Sequence, residues 1–231
     1  MKISAPFAGP ISFPLLVARD RGLLRGYELS NSCQDNKLGE VVLDSITNIW
    51  RIEDEYEVRS GVFIKMYSMI GRKESNVVYT VRKGTLADYN ARLYALQHGK
   101  EVVNLTPNEV VKKAEEGFMG IVGNEVKVGE SLEEEFMREG ILAPSCLMAF
   151  KTDDPDVLRI YDDGIRIINE EPILASSIIS RESGYYDEET MRRIISLYHH
   201  RRTEDRNELM KAISIYSKVE QNVSKIKVGN T

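Results

Sequence analysis

Cysteine and histidine are scarce in this chain. Its 231 residues include two cysteines and three histidines, too few for a disulfide framework and without the pair spacing of a metal site. Cys33 and Cys146 lie far apart in sequence, and two reduced, unpaired thiols are expected. His98 stands alone. His199 and His200 are adjacent, which on a helix points them about 100° apart and away from a shared metal. No basic excess exists either: 31 Lys and Arg are interspersed with 36 Asp and Glu, for a net charge of −5, so no field for tracking phosphates is available and nucleic-acid binding is set aside. Long apolar runs are missing, so no bilayer span is expected. The opening stretch MKISAPFAGPISFPLL holds one lysine, no long apolar segment and no cleavage-site pattern, which reads as a cytoplasmic chain without a secretory signal. No internal repeat and no low-complexity linker interrupts the sequence.

What is present suits a folded protein. Hydrophobic residues make up 42%, enough for a sizeable core in one large domain or two small lobes. The 29% charged fraction is thermophile-like. Strand-like runs are expected at 2–6, 40–44, 61–71, 76–82, 101–105, 118–122 and 145–151. Helical spacing predicts a helix over 13–24 capped by Ser12, one beginning at Ser45, and one from Gly84-Thr85 to about Leu96. Thr106-Pro107-Asn108-Glu109 has the parts of a helix start: capping threonine, proline at the first helical position, glutamate three residues after the cap. Further helices are expected over 131–139 and from Asp154-Pro155 to about Asn169, and everything after Pro172 reads as helical.

Strands alternate with helices, so the expected class is α/β with mainly parallel sheets under helical cover. The runs near 61–71 and 145–151 flank a compact block. The chain is therefore expected to leave one lobe, build a second and return: residues 1–70 and 146–231 form lobe I, residues 71–145 form lobe II, and a ligand cleft lies between them.

Several phrases carry a family resemblance. FAGPISFPLLVARDRGLLRGYELS resembles the opening of type II solute-binding proteins of the alkanesulfonate and thiamine-precursor kind, with Val17-Ala18-Arg19-Asp20-Arg21-Gly22-Leu23 as its helix-ending phrase. GEVVLDSITNI is similar to that family's third strand and following helix, VRKGTLADYNARL to the start of its second lobe, and EEGFMGIVGNE to a late second-lobe strand. The chain also resembles the small menaquinone-biosynthesis enzymes of the futalosine route and, more closely in DSITN and KGTLADYNARL, an archaeal family related to solute-binding lipoproteins. The resemblance implies a two-lobe type II periplasmic-binding-protein-like fold with a helical C-terminal tail and a small polar ligand between the lobes.

In such a cleft, helix N-termini offer unpaired N–H groups to a carboxylate or phosphate. Ser12, Ser45, Thr47 and Thr85 are the candidate hydroxyls, and Gly9 and Gly84 would let the backbone approach a ligand; ordinary caps and turns are the competing reading. Asp44 can take a ligand amine or hydroxyl, or cap the next helix. Asn124, with Glu125, sits at a turn that would face the cleft, and Ser145 lies at the return crossing. Phe7 is the aromatic placed beside the first loop, whereas Phe13, Trp50, Tyr67 and Tyr79 are read as core. Cys146 reads as a small buried residue rather than a nucleophile. Glu133–Glu135 and Arg201-Arg202 read as solvated helix faces. No cofactor or metal is called for. Two functions stay open: binding of a small, anionic metabolite, or an enzyme of menaquinone-type cofactor synthesis acting on a small carboxylate in the same cleft.

Overall fold

The runs Val41–Ser45 and Cys146–Phe150 are buried on both faces, as strands in the middle of a covered sheet must be. Val41 and Leu43 belong to one apolar cluster and Val42 to the other, and Cys146, Met148 and Phe150 alternate in the same way with Leu147 and Ala149. The structure, a computed structural model, describes residues 1–35, 37–52 and 54–229. In chain order the elements are β1 (Lys2–Ala5), α1 (Phe13–Asp20), β2 (Glu28–Asn31), β3 (Val41–Ser45), α2 (Ile46–Ile49), β4 (Glu57–Phe63), β5 (Tyr67–Gly71), β6 (Val77–Thr80), α3 (Leu86–His98), β7 (Glu101–Asn104), α4 (Pro107–Glu115), β8 (Met119–Gly123), β9 (Glu130–Ser131), α5 (Leu132–Arg138), β10 (Cys146–Phe150), α6 (Pro155–Glu170), α7 (Pro172–Ser183), α8 (Glu188–Ile194), β11 (Arg201–Thr203) and α9 (Arg206–Tyr216).

The strands form two sheets, ordered β11-β4-β10-β3-β1-β2 and β7-β6-β8-β5-β9. In the first, β2, β1 and β3 are parallel while β10, β4 and β11 run antiparallel to their neighbours. In the second, β7, β6 and β8 are parallel and β5 and β9 complete it antiparallel. The apolar faces of α1, α6, α7 and α8 cover one side of the first sheet. The other cluster joins α2 and α9 to the second sheet and to α3 and α5, so one core runs through both sheets.

The run 61–71 is two strands, not one. β4 ends at Phe63 in the first sheet, residues 64–66 cross over, and Tyr67 begins β5 in the second. Apolarity continues through the crossing because Ile64 and Met66 are themselves buried, so the pattern hides the break. The tail after Pro172 contains a strand as well. Thr203 pairs with Gly61, and two arginines make β11 a charged edge.

Capping expectations divide. Thr106 and Glu109 form the reciprocal box, and Thr85 accepts from the Asp88 N–H at 3.4 Å. Ser12 does not cap α1: Pro10–Ser12 is already a 3₁₀ turn, and the Ser12 hydroxyl donates back to the Gly9 carbonyl at 2.9 Å. Ser45 makes no side-chain cap on α2, which is a single turn.

α1 and α6 pack closely at Gly164, where a Cβ would overlap the Pro14 carbonyl. Glycine inside a helix costs about 1 kcal/mol relative to alanine, and forcing atoms into a packed contact costs about 1–3 kcal/mol or more. With rigid backbone as the obstacle, the overlap wins. Gly164→Ala is expected to lower unfolding stability by about 1–2 kcal/mol in urea titration; a more stable variant would show that α1 and α6 separate freely.

Candidate functional site

Strand direction locates the site. β10 starts at Cys146, directly after the second crossing, and pairs with Ser45 at the end of β3. β5 starts at Tyr67, directly after the first crossing, and pairs with Gly123 at the end of β8. The carboxyl ends of β1, β2 and β3 therefore face those of β6, β7 and β8 across the crossings. Ligands of open α/β sheets bind beyond such ends.

On the first-sheet side, Asn31 organises two loops: its side-chain oxygen accepts from Phe7 N–H and Cys33 N–H, each at 3.2 Å. The Tyr186 hydroxyl donates to the Ala8 carbonyl and holds the same loop. Phe7 is buried, with the Arg19 guanidinium 5.1 Å from its ring centre. Asp44 is half-buried at the end of β3. Its Oδ1 accepts from Ser45 N–H at 2.6 Å and from the Asn48 amide at 3.0 Å. The carboxylate makes no ion pair among the described residues, and the Ser45 hydroxyl and the Arg51 charge add to its stabilisation. Burial raises the Asp44 carboxyl despite its bonds from Asn48 and Ser45 and the nearby Arg51 charge. The hydroxyls of Ser45 and Thr47 pair with each other at 3.2 Å.

On the second-sheet side the expected anion loop is closed on itself. Thr85 donates to the Arg82 carbonyl at 2.7 Å, and the Gly84 N–H donates to the Asp88 carboxylate at 2.9 Å. Burial works to raise the Asp88 carboxyl, but Arg92, Asn104 and the Gly84 N–H outweigh it and hold it low. Asn124 is a clasp: its amide donates to the Lys65 carbonyl at 2.9 Å, and its side-chain oxygen accepts from Ser68 at 2.7 Å. The Glu125 carboxylate folds back over Gly123, where a Cβ would overlap it. Lost hydration raises Glu125, and its charge adds to burial in pushing up the Tyr67, Tyr186 and Tyr198 phenols.

Phe7, Gly9, Asp44 and Ser45 thus lie at or after strand ends of the first sheet, and Gly84, Thr85 and Asn124 after strand ends of the second. Ser12 and Thr47 are buried behind their loops. Ser145 lines a separate cavity beside the crossings. Sequence reasoning missed Asn31, Tyr186 and Tyr198, whose roles come from tertiary contact. The Tyr198 hydroxyl is buried without a partner among the described residues. Glu133, read as a solvated helix face, is half-buried and accepts from Met66 N–H at 2.8 Å and Tyr67 N–H at 3.1 Å.

The family described as protein of unknown function DUF3834 matches residues 1–201. This chain belongs to that family. A solved structure from Thermoplasma volcanium, of a protein named for nitrate transport, is 39% identical over 99% of this chain and 96% of its own, with a TM-score of 0.94. The periplasmic aliphatic sulphonate binding protein of Escherichia coli superposes with a TM-score of 0.68 at 8% identity, covering 96% of this chain and 92% of its own. An ABC transporter structure from Parabacteroides distasonis does so with a TM-score of 0.68 at 9% identity, over 100% and 96% of the two chains. At those identities the likeness shows the fold: this DUF3834 protein has the two-lobe architecture of solute-binding proteins. Among curated proteins, none matches it.

The thiols of this DUF3834 chain differ in reach. Cys33 is exposed near Asp44, whereas Cys146 is buried and its thiol is pushed up first by burial and then by Asp44. His200 is also buried; lost hydration brings it down to about 4, so at neutral pH its Nε2–H donates to the Pro10 carbonyl at 2.8 Å. Neither group is an activated nucleophile or base. Among the described residues, no three His, Cys, Asp or Glu side chains are placed to hold a metal. Titration with a disulfide reagent near pH 8 should modify one thiol in the folded protein and two after unfolding. Two equally fast thiols in the native state would contradict the packing around Cys146.

Proposed function

We propose that this chain binds a small polar molecule between its two lobes, and that the molecule presents an amine or hydroxyl to Asp44. The observation that carries this reading is the Asp44 carboxylate at the strand ends, raised by burial, with the Ser45 N–H and the Asn48 amide both on Oδ1 and no ion pair among the described residues. A donor from the ligand adds a further partner.

The structural neighbours named for sulphonate and nitrate favour an oxyanion, the class expected from the helix starts. Local geometry weighs against a bare oxyanion here. The Ser12 and Thr85 hydroxyls donate to the Gly9 and Arg82 carbonyls, and the helix after Ser45 is one turn long. An oxyanion about 4 Å from ionised Asp44 would meet a repulsion on the order of 4 kcal/mol at the effective dielectric of a protein surface. A carboxylate or phosphate on the same molecule is compatible if it points away from Asp44.

The proposal takes residues 1–70 and 146–231 as lobe I and 71–145 as lobe II, with strand Tyr67–Gly71 seated on the lobe II side of the crossing. It places the binding inside the cell, where unpaired thiols such as Cys33 and Cys146 persist. Kinship with archaeal relatives of solute-binding lipoproteins fits the Thermoplasma likeness. The alternative, menaquinone-type chemistry on a small carboxylate, has no activated nucleophile in its favour.

Native mass spectrometry of freshly purified protein should reveal a retained ligand. A thermal-shift panel of amines, amino acids, polyols, nitrate, sulfate, phosphate and small sulfonates then sorts the classes. The expected hit carries an amine or hydroxyl, and Asp44→Asn weakens it by about 1.5–3 kcal/mol, the range for a hydrogen bond to a charged group. If only oxyanions bind, Asp44→Asn leaves them unchanged or tighter, and a Ser45→Ala, Thr85→Ala double variant weakens them, the Asp44 reading is wrong and the helix-start reading replaces it.

A further inference from the structure

Apart from the strand-end cleft, a cavity of about 270 Å³ opens where both crossings pass α5 and α9. Its walls are mostly apolar, with Phe63, Ile64, Phe136, Leu142 and Ala143 among them, and Asn90, Glu133 and Tyr216 among the polar groups. Tyr216 donates its hydroxyl to Asn90 Oδ1 at 2.8 Å. Asn90 is 2% exposed and lines the cavity, yet its side-chain NH₂ makes no hydrogen bond to the described residues. Glu133 lines the same cavity. Its Oε1 carries the short bonds from Met66 and Tyr67, whereas its Oε2 has only long ones, from Tyr67 at 3.4 Å and Ser131 at 3.3 Å. Cations at the mouth are already engaged: Lys65 with Glu134 at 2.7 Å, and Arg201 with Glu208 at 3.1 Å.

This arrangement selects chemistry. The Asn90 NH₂ is a donor with no acceptor among the described residues, and the carboxylate of Glu133 has acceptor capacity left on Oε2. One group satisfies both: a hydroxyl, which accepts from the amide and donates to the carboxylate. The remaining walls ask for hydrocarbon. At roughly 30 Å³ per atom, the volume water takes in the liquid, the space holds about nine non-hydrogen atoms. We propose that this cavity is a second ligand site, for a small neutral apolar molecule bearing one hydroxyl, such as a phenol or compact aliphatic alcohol, held between Asn90 and Glu133. The site is independent of Asp44, so either proposal can fail without the other. A charged ligand is disfavoured: a carboxylate would meet Glu133, and an ammonium would leave the Asn90 donors unmet. Burial raises Glu133 to about 7, which suits a neutral partner.

The test uses 4-methylphenol as probe, followed by NMR of the full-length protein, with toluene and 4-methylbenzoate as controls. Binding should shift the Asn90 side-chain amide pair, identified by its loss in Asn90→Leu. The phenol should bind at least tenfold more tightly than toluene or the benzoate, and Asn90→Leu should bring phenol and toluene to within threefold of each other. Ala143→Phe, which fills the cavity, should abolish binding. Met137→Trp narrows the mouth from an exposed position, 59% accessible, and should weaken binding even if the filled variant fails to fold. No binding of the phenol at millimolar concentration, equal binding of toluene, preference for the benzoate, or undiminished binding to the blocked variants would each overturn the proposal.

Discussion

The fold depends on how three residues of crossing chain are held. Ile64–Met66 belong to neither sheet, so no ladder satisfies their backbone. Side chains and neighbouring loops do it instead. Lys65 N–H donates to the Tyr198 carbonyl at 2.7 Å and its carbonyl accepts from Asn124. Met66 N–H donates to Glu133, and its carbonyl accepts from Asn124 N–H at 3.0 Å. Tyr67 N–H goes to Glu133 as well. Both lobes contribute, Tyr198 from one and Asn124 and Glu133 from the other, so the crossing is where their relative position is set. It also aligns β5 with β8, and so brings the carboxyl ends of the second sheet to face those of the first.

The same accounting explains why Asn124 and Glu133 look functional and act structurally. Glu133 could stay in a low-dielectric place because its bonds go to N–H groups that would otherwise be orphans. The cost of burying the carboxylate is offset by what those groups would lose. Ser12, Gly84 and Thr85 follow the pattern. Each sits at a loop beyond a strand end, and each is satisfied within its own loop. Asp44 is the exception, because burial outweighs its donors and leaves the carboxyl raised.

How much of this was legible in the sequence depended on the range of the interactions. Periodicity and caps act over a few residues, so the Thr106–Glu109 box, the Thr85 cap and the apolar strands β3 and β10 could be read directly. The order of such elements sufficed for two sheets under helical cover but not for their pairing: both are mixed rather than mainly parallel, because β10, β4 and β11 in one and β5 and β9 in the other pair antiparallel. The break at 64–66 was hidden because chain buried between lobes is as apolar as strand. β11 was hidden because a three-residue edge strand with two arginines has the composition of an exposed helix face. The site was least legible. Asn31 bridging two loops, Tyr186 reaching Ala8, and the orphan hydroxyl of Tyr198 all join residues distant in sequence, and no local pattern encodes them.

The two lobes are not joined by the crossings alone. Tyr216 of α9 donates to Asn90 of α3, and Tyr89 of α3 donates to Glu220, beyond α9, at 2.8 Å. A neutral bond of this kind contributes about 0.5–1.5 kcal/mol and one to a charged group about 1.5–3. Around them the apolar cluster is continuous, with Tyr94 and Leu93 from α3 and Leu209 and Ile213 from α9. Separating α3 from α9 would break both bonds and wet that cluster, at about 25 cal/mol for each Å² of apolar surface exposed. Parting the strand ends near Asp44 and Glu125 costs far less, since no hydrogen bond joins Asp44 or Glu125 to the opposite lobe among the described residues. The least costly relative motion therefore pivots on the α3–α9 contact and opens at the strand ends, which leaves Asn90 and Tyr216 in place.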